Sequence, residues 1–124
     1  MDIEGNYLSD YYEVTHFDSN VTKQQPNFDK AMDFQTGHRP STLIAKISGV
    51  YTVIKNEANG YISDGYLDTT EASNLFEMMN RFNDKVEDVC DILEIDEEKN
   101  EKEINQLSKI VEKTNDLFKN TLDF

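Results

Sequence analysis

The fold class that the sequence predicts is mostly α: a small helical domain whose C-terminal part is an antiparallel helical hairpin. After position 69, apolar residues recur at alternating steps of three and four in two separate stripes, each typical of an amphipathic helix that another helix must cover. Between the stripes, Glu97 and Asn100 would put polar groups into the seam of a single helix of about 50 residues, so a turn is favoured there over that alternative.

The first stripe has a helix start signal in front of it. Thr69 or Thr70 can cap the helix, and Glu71 lies toward the positive end of its dipole. The first stripe consists of Leu75, Met79, Phe82, Val86, Val89 and Leu93. The second consists of Ile104, Leu107, Val111, Thr114 and Phe118, widened by Ile110, Leu117 and Leu122.

Residues 41–68 are open to two interpretations. Apolar residues from Leu43 to Ile54 recur at helical spacing, with Ser41 as a candidate N-cap, and this favours a helix. Several of them are β-branched, however, and Gly49 interrupts them. The alternative is an α+β fold with a short β-hairpin around residues 50–67, which would turn at Asn59-Gly60.

Residues 1–40 are polar but contain several aromatic side chains. We predict short helices near 2–13 and 27–35, the second beginning at Asn27 and ending before Gly37. Tyr7, Tyr11 and Tyr12 suit either a core that is short of aliphatic residues or an interface. The expected organisation is a single domain over 1–124, divided into this segment, the central 41–68 and an acidic helical hairpin at 69–124.

Composition excludes several classes of function. The net charge of −13 argues against direct binding to nucleic acid or to an anionic membrane, both of which need clustered Lys and Arg. A hydrophobic fraction of 37% supplies little core, so we expect association with a partner or with further copies of the chain. Only one cysteine, Cys90, is present, and neither a signal peptide nor a membrane span is apparent, which predicts a cytoplasmic protein. Lysine outnumbers arginine ten to two, a bias typical of AT-rich bacteria and their phages.

Acidic residues are concentrated in the C-terminal part, where residues 70–124 carry a net charge of −8. On a continuous helix, many of these carboxylates would fall at steps of three or four and form a ridge with neighbours about 5–6 Å apart. This pitch is comparable to the phosphate spacing of a nucleic-acid strand. The predicted partner-binding residues are Asp84, Glu87, Asp88, Asp91, Glu94, Asp96, Glu97 and Glu98.

Metal-binding and catalytic patterns are weak. Residues 64–71 resemble the second half of a calcium-binding EF-hand loop, but Gly60 and Ile62 stand where the first half needs oxygen ligands. A turn closed by Gly65 and capped into the helix by Asp68 or Thr69 is preferred. His16 and His38 are far apart, and Cys90 lies beside carboxylates that disfavour its thiolate. We therefore expect no metal, no cofactor and no enzymatic activity.

The resulting hypothesis is a non-catalytic acidic module that binds a basic surface of another protein. Its concrete form is a phage or mobile-element inhibitor that blocks the nucleic-acid groove of a host protein by mimicking the nucleic acid. The alternative is a helical assembly partner or chaperone of a secreted toxin or phage structural component, which would pair through the first apolar stripe.

Overall fold

The computed structural model describes residues 25–124, which contain four α-helices and no β-strand. This confirms the mostly-α prediction, since 79% of the structure is helical. The predicted helix near 2–13 lies outside the described residues. The four helices are α1 (Pro26–Met32), α2 (Pro40–Tyr61), α3 (Thr69–Leu93) and α4 (Glu101–Leu122), with a 3₁₀ turn at Glu94–Asp96 after α3.

The first two helices both begin at a proline. Gln25 precedes α1 and Arg39 precedes α2, so Asn27 and Ser41, the predicted caps, instead lie inside the first turns. Proline suits this position because its fixed φ matches the helix and its missing N–H would have had no partner in the first turn. The predictions placed each cap at the polar residue after the proline, whereas the proline itself is the first helical residue.

The favoured interpretation of the central segment as a helix is confirmed, since residues 40–61 form α2, and the β-hairpin alternative around residues 50–67 is wrong. Ile47, Val50 and Ile54 are fully buried at steps of three and four, whereas Gly49 is exposed on the opposite side. Burying each such side chain contributes roughly 1.5–3 kcal/mol, which exceeds the few tenths of a kcal/mol that a β-branched residue costs a helix. Tertiary packing therefore outweighs local propensity.

The connection between α2 and α3 turns at Gly65 and ends in a capping box. Gly65 has a φ of +97°, a conformation that glycine adopts without steric cost. The Asp68 carboxylate accepts a hydrogen bond from the Glu71 N–H at 2.8 Å, and the Glu71 carboxylate accepts one from the Asp68 N–H at 3.1 Å. Asp68 is thus the cap, as the preferred interpretation of this loop allowed, and Thr69 and Thr70 are the first helical residues.

The chain leaves α3 at Leu93, so the alternative of one continuous helix through residues 69–124 is wrong. The Asn100 side chain donates to the Leu93 carbonyl at 3.0 Å and closes the end of α3. The Asp96 side chain accepts from the Lys99 N–H at 3.3 Å, and the Asp96 carbonyl accepts from the Asn100 N–H at 3.0 Å. The predicted break is therefore present, while the antiparallel orientation of the hairpin stays a prediction.

All four helices contribute to one apolar core, and α4 packs on both α2 and α3. On α3 the core position between Leu75 and Phe82 is occupied by Met78, which is fully buried, whereas the predicted Met79 is only partly buried. Met78 and Met79 both fit helical spacing after Leu75, so the direction from which the other helices cover α3 decides which of them is buried. The buried apolar residues are Phe28, Met32, Phe34, Leu43, Ile44, Ile47, Val50, Ile54, Ala58, Leu75, Met78, Phe82, Val89, Leu93, Leu107 and Phe118.

The buried face of α4 includes two threonines. Thr114 and Thr121 are one heptad apart, and their hydroxyls donate to the carbonyls of Ile110 and Leu117, four residues earlier, at 2.6 and 2.7 Å. Each hydroxyl is thereby satisfied within its own helix and can enter the core at little cost. The second predicted stripe is the buried face of this helix.

Candidate protein-docking surface

The eight predicted binding residues are all exposed. Asp84, Glu87, Asp88 and Asp91 lie on the second half of α3. The other four follow in the 3₁₀ turn and the turn after it, before α4 begins at Glu101. We call the first group the α3 carboxylates and the second group, Glu94, Asp96, Glu97 and Glu98, the turn carboxylates.

The regular ridge is shorter than the sequence predicts. Helical steps of three and four relate only the α3 carboxylates, because α3 ends before Glu94 and the chain no longer has α-helical spacing from there to Glu98. The helical part spans about two turns, or roughly 10 Å along the axis. The predicted surface therefore has two parts: a regularly spaced row of carboxylates on α3 and a separate group in the turn after it.

Among the described residues, none of these eight carboxylates forms an ion pair with lysine or arginine. The two basic side chains of α3 are used elsewhere: Arg81 contacts Asp29 at 2.6 Å and lies over the Phe28 ring. Lys85 donates to the Phe34 carbonyl at 2.8 Å and lies over the Phe34 ring. Both therefore hold α1 and its following loop against α3, and neither forms an ion pair with the α3 carboxylates.

This arrangement costs α3 stability. Two like-charged pairs, Asp84 with Asp88 and Glu87 with Asp91, are four residues apart on the helix and together cost about 0.4–1 kcal/mol. The last turn of α3 has no basic residue, so its negative dipole end also faces carboxylates. Asp96 is different, because its side chain stabilises the turn backbone. The stability of the fold therefore explains why a carboxylate is present at Asp96, but it does not explain the presence of the α3 carboxylates.

Ile95 is the residue that sequence reasoning missed. It lies in the 3₁₀ turn between Glu94 and Asp96, and 83% of its surface is exposed. The helical periodicity that identified the core gave no signal for it, since the residue falls where α3 has already ended. Among the described residues it is one of three large apolar side chains with most of their surface exposed, and it is flanked on both sides by carboxylates.

Cys90 lies beside the same surface. Burial raises the pKa of its thiol, as do a 3.4 Å hydrogen bond to Glu94 and the charges of Glu94, Asp91 and Glu97. The expectation that carboxylates disfavour the thiolate agrees with this direction, although burial is the larger cause. A thiol in this state is a weak nucleophile at neutral pH.

The carboxylates of the EF-hand-like segment are engaged by the backbone. Asp64 accepts a hydrogen bond from the Tyr66 N–H at 3.3 Å, while Asp68 and Glu71 form the capping box. Within residues 25–124, no group of three or more His, Cys, Asp or Glu side chains is arranged to hold a metal ion. The structure therefore gives these residues a role in the loop and the start of α3.

A second polar region lies where the end of α2 meets α3. The Asn74 amide donates to the Tyr61 hydroxyl at 3.1 Å. Burial raises the pKa of Tyr61 to about 12; the hydrogen bond with Asn74 opposes the rise, and Glu57 adds to it. Tyr61 also lines an open groove of about 710 Å³ between α1 and α2. Tyr7, Tyr11, Tyr12 and His16 lie outside the described residues.

In the part of the chain that the structure describes, no helix combines the length and the apolar content needed to cross a lipid bilayer.

Comparisons with known proteins add no relative. A scan against protein-family models found no match, and neither did searches of curated proteins and of solved structures.

Proposed function

We propose that this protein is a non-catalytic binding module whose α3 carboxylates dock on a basic surface of another protein. The observation that carries the proposal is the set of exposed α3 carboxylates with no basic partner among the described residues. Such a surface attracts a cationic groove from a distance and raises the association rate. Binding would also turn the like-charge repulsion along α3 into attraction.

The partner we infer is a nucleic-acid-binding protein. Its groove already accepts a row of closely spaced negative charges, and the α3 carboxylates offer such a row over about two helical turns. The chain would then act as an inhibitor that excludes nucleic acid from the groove. The bias toward lysine fits a phage or mobile element of an AT-rich bacterium, which would place the chain in the bacterial cytoplasm.

The assembly-partner alternative is less well supported by the geometry. It required the first apolar stripe to pair with another protein, but Leu75, Phe82, Val89 and Leu93 are fully buried within the domain. Pairing through them would require α3 to leave its own core. An assembly role would have to use a different surface.

The test compares two triple variants that each remove three exposed carboxylates. The first is Asp84→Asn, Glu87→Gln and Asp91→Asn on α3. The matched control is Glu112→Gln, Asp116→Asn and Asp123→Asn on and just after α4, where all three residues are also exposed. The wild-type chain and both variants are immobilised, and proteins captured from a bacterial extract are identified.

We expect the wild type and the control to capture a basic nucleic-acid-binding protein that the α3 variant does not retain. Added wild-type chain should displace a labelled DNA or RNA from the purified partner, and binding should weaken steeply as salt rises to about 0.5 M, where the Debye length is a few ångström. Equal capture by the wild type and the α3 variant would refute the proposal. Capture of the basic protein without displacement of the nucleic acid would refute the inhibitor mechanism but not the docking surface.

A further inference from the structure

A second groove, with a volume of about 510 Å³, lies between α2 and α4. Its apolar lining comes from Ile44, Ala45 and Ile110, and its α4 side carries Lys102 and Lys109 together with Glu103. These lysines are exposed and seven residues apart, or about two helical turns. An apolar floor flanked by two ammonium groups suits an aliphatic side chain with carboxylates on either side.

The charge around this groove differs from that of the rest of the chain. No acidic residue occurs from 34 to 56, a span that includes most of α2, although acids make up 25 of 124 residues overall. The same span contains Arg39, Lys46 and Lys55. The α2 residues that line the groove are all uncharged, so the side of the groove formed by α2 carries no negative charge on a protein whose net charge is −13.

The side chain that this groove would accept is present in the same chain. Ile95 is 83% exposed and stands between the carboxylates of Glu94 and Asp96. We propose that the α2–α4 groove docks a second copy of this chain, whose Ile95 contacts the apolar lining while the flanking carboxylates pair with Lys102 and Lys109. Both the apolar and the charged parts of the contact are then complementary.

The position of Ile95 allows this contact to be reciprocal. Ile95 lies in the turn that leads into α4, and Lys102 is in the first turn of that helix. Each copy can thus offer its isoleucine and its groove from the same end of the molecule, which gives a closed dimer with two equal contacts. The α3 carboxylates take no part, so this inference does not depend on the proposed function.

Salt should affect the dimer in two opposing ways. Two chains of charge −13 repel each other at long range, and about 0.15 M salt screens repulsion beyond roughly 8 Å. Higher salt also weakens the contacts between carboxylates and lysines. We therefore expect association to be strongest at intermediate salt, with dissociation constants on the order of 10–100 µM for so small an interface.

The first test is sedimentation equilibrium of the full chain and of two variants of exposed apolar residues. Ile95→Asp should weaken dimerisation by at least about tenfold, as expected when a central apolar anchor is lost. Tyr66→Ser is the control, because Tyr66 is also largely exposed but lies away from the turn, in the α2–α3 connection. Circular dichroism establishes that both variants fold.

The second test changes the groove. Ala45→Glu introduces a carboxylate into the apolar lining that Ile95 would contact and should likewise weaken the dimer by at least about tenfold. Thr52→Glu, at an exposed position of α2 that does not line the groove, is its charge-matched control. A mixed pair of one Ile95→Asp chain and one Ala45→Glu chain retains one intact contact. The mixture should therefore form a weak heterodimer that is tighter than the dimer of either variant alone.

A wild-type chain that stays monomeric at concentrations of about 1 mM would overturn the inference. A dimer that survives both Ile95→Asp and Ala45→Glu would overturn it too, because another surface would then be responsible. If Ile95→Asp instead weakens only the capture of the basic protein, Ile95 belongs to that interface, and self-association is refuted while the proposed function stands.

Discussion

Tyr61 shows how one residue links two helices through a polar group at the edge of the core. Its ring packs against the core, while its hydroxyl accepts a hydrogen bond from Asn74 on α3. The carbonyl oxygen of the same Asn74 side chain is buried without a hydrogen-bond partner. A buried carbonyl without a partner lowers the stability of the fold. The hydrogen bond from the Asn74 amide to the neutral Tyr61 hydroxyl offsets part of this loss.

Stability should therefore fall as pH rises from 10 toward 12. The Tyr61 phenol keeps its proton up to a pKa of about 12 in the folded chain, whereas in the unfolded chain it loses the proton near the ordinary value of 10.0. The unfolded state binds fewer protons in this window and becomes favoured. Urea unfolding across this pH range should show a shallower fall for Tyr61→Phe than for the wild type.

Tyr66→Phe is the control for this measurement, since Tyr66 is 61% exposed. It should leave the slope of stability against pH unchanged. A Tyr61→Phe protein whose stability falls as steeply as that of the wild type would contradict the assignment.

At the scale of the helices, α2 contains a glycine that the fold does not require. Gly49 lies in the middle of the helix and is exposed, and a Cβ added there would meet nothing within 4 Å. Glycine in a helix interior costs about 0.5–1 kcal/mol relative to alanine, because the unfolded backbone has more conformations to lose. Gly65 differs, since its φ of +97° would strain any other residue.

Gly49→Ala should accordingly raise the free energy of unfolding by about 0.5–1 kcal/mol. Gly65→Ala should lower it, because the left-handed backbone conformation is unfavourable for alanine. Thermal unfolding followed by circular dichroism measures both changes. A destabilising Gly49→Ala substitution would mean that this face of α2 is covered more closely than the structure indicates.

The sequence was sufficient to identify the helices but not their details. Apolar periodicity located α3 and α4, and favoured α2 as a helix, because each helix has to bury one face. It misplaced one core residue, choosing Met79 over Met78, since the direction from which α2 and α4 cover α3 is a tertiary property. All eight carboxylates of the candidate site could be named from the sequence. The separation of the α3 carboxylates from the turn carboxylates, and the exposure of Ile95, could not, because they depend on where α3 ends.

In the molecule as a whole, part of the negative charge lies where it lowers the stability of the fold. The α3 carboxylates include two like-charged pairs four residues apart, whereas α4 has one such pair of carboxylates, Glu112 with Asp116, and both of its members also have a lysine three residues away. An acidic surface that served only solubility would not need to be placed where it destabilises a helix. A measured gain in stability on removing these charges would quantify that cost.

The Asp84→Asn, Glu87→Gln and Asp91→Asn triple variant should therefore be more stable than the wild type by about 0.5–1.5 kcal/mol at low salt. The gain should shrink as salt screens the repulsion in the wild type. Chemical denaturation with urea, at low and at high added salt, measures both effects. The α4 triple variant removes one like-charged pair together with attractive pairs to lysine, so its gain should be smaller, and an equal gain in both would point to net charge alone.

The packing of α4 on α2 determines whether a fragment of the chain can fold on its own. These helices are not neighbours in sequence, and α4 contacts α2 and α3 together. A fragment that stops at Leu93 would lose Leu107 and Phe118 from the core, and the isolated α3–α4 segment would lack Leu43, Ile47 and Val50. Unfolding should consequently be cooperative and all-or-none, and neither half should serve as a transplantable module.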